Sequence, residues 1–191
     1  MEKKSNKYIK EYMISKNNKT LGELRNISLS YVPNDAIFTT WDDDDWRSPN
    51  YLENLYAFLI NNKADITMIQ NRLEFNLNNN SMWKSSMRSG FMTFFMIKDS
   101  NIKYDKLDTL EDVIIKKNAI DSHKKIIPYN NNPELYIRYI HKNNTSPYVN
   151  KNKAKITKYS IANDYTESDV TLDEQKYIQN INLQFYSKIF A

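Results

Sequence analysis

The chain has 191 residues, with 27 Lys+Arg against 23 Asp+Glu and a formal net charge of +4. Its 40% hydrophobic and 13% aromatic content can bury a core, which excludes wholesale disorder. The lack of cysteine excludes disulfides, thiol catalysis and Cys-ligated zinc, and a content of only 2 glycines excludes a Walker A loop or a G-x-G-x-x-G fingerprint.

In chain order, residues 5–16 have the spacing of a short amphipathic helix, with Tyr8, Ile9, Tyr12 and Met13 on one face. Thr20 and Glu23 form a capping-box pair ahead of a helix carrying Leu21, Leu24 and Leu29. A turn at Val32–Asp35 leads to a buried strand from Ala36 to Trp41, which runs straight into Asp42-Asp43-Asp44-Asp45-Trp46. Ser48-Pro49 reads as the start of a helix containing Leu52, Leu55, Tyr56 and Leu59, with Ser48 as cap. Strands are expected at Ile66–Ile69, Arg72–Leu77 and Phe91–Ile97, with Asn78-Asn79-Asn80 as a loop and Met92 and Met96 in the core. Thr109 caps a helix to about Ala119, and Ile126-Ile127 and Leu135–Ile140 read as two short strands. Residues 146–170 read as a lysine-rich linker (Lys151, Lys153, Lys155, Lys158), and 171–191 as a C-terminal helix with Leu172, Ile178, Ile181 and Phe185. The alternation of strands and helices to about residue 145 predicts an α/β sandwich with one mainly parallel sheet and a C-terminal helical arm.

Four consecutive carboxylates repel one another unless a cation sits among them. They follow an apolar strand, and ligands of open α/β sheets bind at the carboxyl ends of strands. Hard oxygen donors there suit Mg²⁺ or Mn²⁺. The plainer reading is a solvated acidic loop. An EF-hand starting at Asp42 is rejected, because Arg47 would occupy its obligatory glycine position.

Gly22-Glu23-Leu24-Arg25-Asn26, then Asp35-Ala36-Ile37, then Trp41–Trp46 with Pro49, resemble the central motif of family 2 glycosyltransferases of the GT-A fold. Trp83 and Gly90 stand where the family's acceptor-side segment lies. Glu111-Asp112 resembles its E-D motif, and Leu135-Tyr136-Ile137-Arg138 with His141, Asn144 and Thr145 resembles an L-Y-x-R…H-x-x-N-T segment of one branch. The resemblance implies transfer of a sugar from a nucleotide-sugar donor (UDP- or GDP-linked) to an acceptor hydroxyl on a glycan or protein, with inversion. It implies Mn²⁺ or Mg²⁺ at Asp42 and Asp44, Asp44 being favoured as direct ligand, with His141 completing the shell. Arg25 would reach the donor nucleotide, Asp45 would orient neighbours or touch the sugar, and Asp112 would be the general base. Each residue also has a plain structural reading: Asp112 as part of a Thr109 capping box, Arg25 as a helix-surface charge, His141 and both flanking tryptophans as packing.

The family's pattern opens with a strand, a P-x-Y-N-type loop, a helix and a second strand, and no such stretch precedes Lys19. The chain is therefore expected to represent the domain without the N-terminal part of its nucleotide-binding half. It would be a fragment, a split-gene product served by a partner polypeptide, or a remnant. The alternative function is a non-catalytic carbohydrate- or nucleotide-binding module. No apolar run reaches the roughly 20 residues of a membrane span and no signal-peptide pattern follows Met1, so a cytoplasmic protein is expected. The positive charge is almost all dispersed lysine, so nucleic acid is not an expected partner. Heavy use of Asn, Lys, Ile and Tyr fits an AT-rich source such as a large DNA virus or a protist.

Overall fold

A computed structural model describes residues 18–91, 93–108, 110–130, 132–141 and 165–189. The helix expected at 5–16, the cap expected at Thr109, Met92, Asn144, Thr145 and most of the lysine-rich stretch lie outside the described residues.

The elements run α1 (Leu21–Ser30), β1 (Ile37–Thr39), β2 (Trp46–Arg47), α2 (Tyr51–Asn61), β3 (Ile66–Ile69), β4 (Asn71–Asn76), β5 (Ser81–Met87), β6 (Phe94–Ile97), α3 (Glu111–Asp121), β7 (Ile126–Tyr129), β8 (Tyr136–Ile140), β9 (Tyr165–Ser168) and α4 (Leu172–Ile189). The strands form two sheets, ordered β1-β6-β3-β7 and β2-β8-β4-β5-β9. This is an α/β sandwich, consistent with a GT-A-like domain, but the expectation of a mainly parallel sheet is corrected. Both sheets are mixed: only β3–β7 and β4–β8 pair in parallel, and the other pairs are antiparallel.

For the β4–β5 pair the physical reason lies in the loop expected at Asn78–Asn80. Asn76 Oδ1 accepts the Asn78 amide at 2.9 Å and Asn79 Oδ1 accepts the Ser81 amide at 3.1 Å. Asn80 takes the left-handed conformation, φ 55°, which asparagine tolerates better than most residues. A turn this short reverses the chain, so β4 and β5 pair antiparallel with Asn76 opposite Ser81. Only Gln70 separates β3 from β4, and there the chain passes from one sheet to the other.

The first sheet is covered on both faces. Ile66, Met68, Phe94 and Met96 pack with Ile102, Tyr104, Ile115 and Ala119 on the α3 side. Ile69 and Phe95, of opposite parity, pack with Tyr51, Leu55 and Leu59 of α2. Strands buried on both faces read as continuous apolar runs, which is why Ile66–Ile69 and Phe94–Ile97 were legible. In the second sheet Leu73, Phe75, Ile137 and Tyr139 pack against Ile178 of α4. That helix is capped by Thr171 and Glu174, each accepting the other's amide, at 3.2 Å and 2.7 Å. It lies on the sheet, and Tyr165–Ser168, expected within the linker, pairs with β5. The second helix begins two residues later than Ser48-Pro49 implied. Its cap position is Asn50, which makes no side-chain capping bond.

The N-terminal capping box forms as expected: Thr20 Oγ1 accepts the Glu23 amide at 3.3 Å and Glu23 Oε2 accepts the Thr20 amide at 3.0 Å. The next residues dock this helix against the segment before α3. The Gly22 amide donates to the Leu107 carbonyl at 2.9 Å, and a Cβ at Gly22 would lie 1.8 Å from the Asp105 carbonyl oxygen. The Asn26 side chain both donates to the Tyr104 carbonyl (2.7 Å) and accepts its amide (2.9 Å). Gly22→Ala is therefore expected to lower stability by about 1–3 kcal/mol, because backbone rather than a flexible side chain must give way. A urea midpoint measured against an exposed control, Ser28→Ala, checks this.

Candidate active site

Docking α1 through Gly22 and Asn26 aims Arg25, between them, at the start of α3. Arg25 Nη1 lies 3.1 Å from Glu111 Oε1 and Nη2 lies 3.6 Å from Asp42 Oδ1. The guanidinium also lies 5.4 Å from the Tyr104 ring centroid. Glu111 is only 4% exposed, so its charge depends on this partner. The Asp42 side chain is 51% exposed, and that pair is the looser, more screened half. Three segments far apart in sequence, the G-x-x-R-N helix, the Asp quartet and the E-D motif, thus meet around one guanidinium.

Asp112 follows Glu111 in the first turn of α3. Burial, then the neighbouring Glu111 charge, raises its carboxyl to a pKa of about 6, against the pull of Arg25. Its Oδ1 accepts the Val113 amide at 2.8 Å. Leu110, just before the pair, is held at φ 67°, a left-handed conformation that costs a leucine about 1 kcal/mol or more.

The quartet does not act as a unit. Asp45 is buried and turns inward. The Tyr136 hydroxyl donates to its Oδ2, and the Tyr139 amide donates to its Oδ1 at 3.1 Å. Burial raises the Asp45 carboxyl to about 6, opposed by the Tyr136 hydrogen bond. Directly after it, β2 pairs with β8, Trp46 opposite Ile137 and Arg47 opposite Tyr136. These ties hold the loop along β8 and bring Asp44 to the residue that follows that strand: Asp44 Oδ2 lies 3.0 Å from His141 Nε2.

Among the described residues, no three His, Cys, Asp or Glu side chains gather closely enough to hold a metal ion by themselves. Asp44 and His141 offer one oxygen and one nitrogen donor side by side, with Asp42 two residues away and turned to Arg25. Mg²⁺-type cations at nucleotide sites use one or two carboxylates and take their remaining ligands from phosphate oxygens and water. The donor set is compatible with that kind of site and not with an all-protein cage.

Of the expected site residues, Arg25, Asp42 and the Glu111-Asp112 pair come together, and Asp44 joins His141. Asp45 faces the sheet interior, with both carboxyl oxygens engaged by Tyr136 and Tyr139. Trp46 packs edge-on against Tyr177, with centroids 5.7 Å apart, and Arg138 stands opposite Glu74 in the β4–β8 register. Sequence reasoning did not find Glu111 as the partner of Arg25, although its adjacency to Asp112 was a usable signal. It also missed the clamp on Asp45, half of which is a backbone amide and leaves no side-chain signature.

The glycosyl transferase family 2 model matches residues 2–115. The chain belongs to that family, a class of glycosyltransferases acting between a sugar donor and an acceptor. A comparison with curated proteins returned no match. No described helix is long and apolar enough to cross a membrane.

Two outcomes are expected from this electrostatic arrangement. Arg25→Met leaves Glu111 buried and unpaired and should cost about 3–5 kcal/mol. Adding Glu111→Gln should restore most of that loss in urea unfolding. Asp112 has a folded pKa raised above its unfolded value, so its contribution to stability is fully present below about pH 4 and lost as pH rises through about 6. Asp112→Asn should therefore match wild type near pH 4 and become the more stable by on the order of 2 kcal/mol above pH 7, read from paired denaturation curves.

Proposed function

We propose that the protein transfers a sugar from a nucleotide-sugar donor to an acceptor hydroxyl with inversion, using Mn²⁺ or Mg²⁺ and Asp112 as general base. The observation that carries this reading is the Arg25 junction. Glu111, next to Asp112, and Asp42 of the acidic loop share that one guanidinium, so the E-D pair stands beside the Asp42–Asp45 loop.

In this reading Asp44 and His141, with Asp42, would hold the cation, which when bound would supply positive charge to offset that of the diphosphate leaving group. Arg25 orients Asp42 and the nucleotide side of the donor. Asp45 is a positioning residue: its bonds to Tyr136 and Tyr139 keep Asp44 against His141. Asp112 accepts the proton of the acceptor hydroxyl while that oxygen attacks the anomeric carbon. The bond from that carbon to the diphosphate oxygen breaks on the opposite face, and the nucleoside diphosphate leaves with the electron pair. A carboxyl with a pKa near 6 is ionised at neutral pH and still basic enough to share a proton in the transition state.

The test is a thermal-shift panel of UDP- and GDP-sugars with and without Mn²⁺, followed by transfer assays on any donor that binds. A metal-dependent shift is expected in wild type and in Asp112→Asn, and none in Asp44→Ala. Transfer by Asp112→Asn should fall by about 10²–10⁴-fold, and wild-type kcat/KM should lose an acidic limb near pH 6 on that substitution. A shift that survives Asp44→Ala, or full transfer by Asp112→Asn, would overturn the assignment.

A further inference from the structure

Arg47 is a buried cation that the reaction above does not use. It is 5% exposed. Its Nη2 donates to the Thr40 carbonyl at 3.1 Å, but Nε and Nη1 are buried without a hydrogen-bond partner, and among the described residues no carboxylate pairs with it. Three aromatic rings surround the guanidinium, with centroids 4.5 Å (Trp41), 5.3 Å (Tyr51) and 5.1 Å (Tyr136) away. Ring faces attract a cation but accept none of its directed N–H bonds in full.

Arg72, two strands away in the same sheet, shows the usual solution. It too is buried against a ring, 3.7 Å from the Phe91 centroid, but Nε and Nη2 both donate to Glu74 Oε1, at 2.9 and 2.8 Å. Arg47 has no such counterpart. The buried hydroxyls of Ser48, Tyr51 and Thr93 also lack partners, so five of the seven unpartnered buried side-chain polar atoms among the described residues belong to these four residues. Of these, Arg47, Tyr51 and Thr93 are neighbours in space: the Tyr51 hydroxyl lies close to Arg47, Thr39 and Thr93, outside full hydrogen-bond geometry. Donors this concentrated, around an unneutralised charge, are costly unless something accepts from them.

The cluster adjoins the candidate active site. Thr40, which Arg47 holds, leads into the Asp42–Asp45 loop, and Tyr136, on which Arg47 stacks, donates to Asp45. Trp41 lies over the guanidinium and edge-on to Tyr51, yet is itself 51% exposed. The buried cation is therefore one side chain away from solvent.

We propose that Arg47, Tyr51 and Thr93 form a recognition site for an anionic group of the substrate, a carboxylate or a phosphate, beneath Trp41. A planar guanidinium and two hydroxyls can all donate to such a group, and the group supplies the missing charge. This specificity rests on the glycosyltransferase reading of the adjoining loop.

The experiment measures thermal unfolding of the full chain without metal, at constant ionic strength, against inorganic phosphate, glucuronate, glucose, UDP, UDP-glucose and UDP-glucuronate. Wild type and Asp44→Ala should both show a saturable rise with at least one anion and none with glucose. Arg47→Met, which keeps the alkyl packing, should lose that rise while melting no lower than wild type in anion-free buffer, because an unpaired buried cation has been removed. Tyr51→Phe and Thr93→Val, milder changes that keep the charge, should each weaken anion binding about tenfold. Response to glucuronate and UDP-glucuronate alone assigns the group to a sugar carboxylate; response to phosphate, UDP and UDP-glucose alike assigns it to the diphosphate. An absent anion response in wild type, or one unchanged in Arg47→Met, would overturn the inference, as would an Arg47→Met protein that melts lower with its anion response intact. An anion response that persists in Asp44→Ala stands even if metal-dependent donor binding fails, so the two readings fail separately.

Discussion

The arrangement of the candidate active site depends on the ion pair between Arg25 and Glu111. A carboxylate that is 4% exposed is tolerable only beside a cation, and that cation arrives on a helix whose approach is set by a glycine. The G-x-x-R-N pattern is thus a docking device with three parts. Gly22 removes the Cβ that would strike the Asp105 carbonyl, Asn26 closes two hydrogen bonds with the Tyr104 backbone, and Arg25 between them reaches Glu111. Asp42 meets the same guanidinium more loosely, which leaves that end of the junction open to solvent.

A second constraint acts on the other side of the loop. Asp45 is buried against β8, and its bonds to Tyr136 and Tyr139 carry the chain into the short β2 ladder. One aspartate is used for position so that its neighbour, Asp44, can stand at His141. Four like charges in a row are tolerated because their surroundings differ: one is buried and hydrogen-bonded, one faces an arginine, and one faces a histidine. Asp45 and Asp112 share a raised pKa for the same first reason, burial. They differ in use, since Asp45 has both oxygens engaged within the fold while Asp112 lies beside Glu111 at the start of a helix.

Much of the architecture was legible because burial leaves a mark on composition. Ile66–Ile69 and Phe94–Ile97 are apolar without alternation and are covered on both faces. Thr20 with Glu23 marks a helix start through local hydrogen bonds that need no tertiary partner. β5 and β9 were illegible for the opposite reason. Ser81–Met87 and Tyr165–Ser168 are polar and half-exposed, and they become strands only because β4 offers an edge to the first and the first offers an edge to the second. The Ser48-Pro49 helix start failed because Ser48 is drawn into backbone pairing with Leu135, through its amide at 3.0 Å, and the helix begins only at Tyr51.

The sequence by itself determined the residue types and their order: an R-N helix, an acidic loop after an apolar strand, and an E-D helix start. Those are local facts of chemistry and spacing, and they suffice to name the family. Only the tertiary structure decided which partner each carboxylate meets. The direction of an aspartate side chain is set by partners up to 97 residues away, and by whether burial or solvent surrounds it, and neither is written in the spacing of the chain. The same holds for Arg47, an unremarkable arginine in the sequence, which packing alone turned into an unpaired cation among three rings.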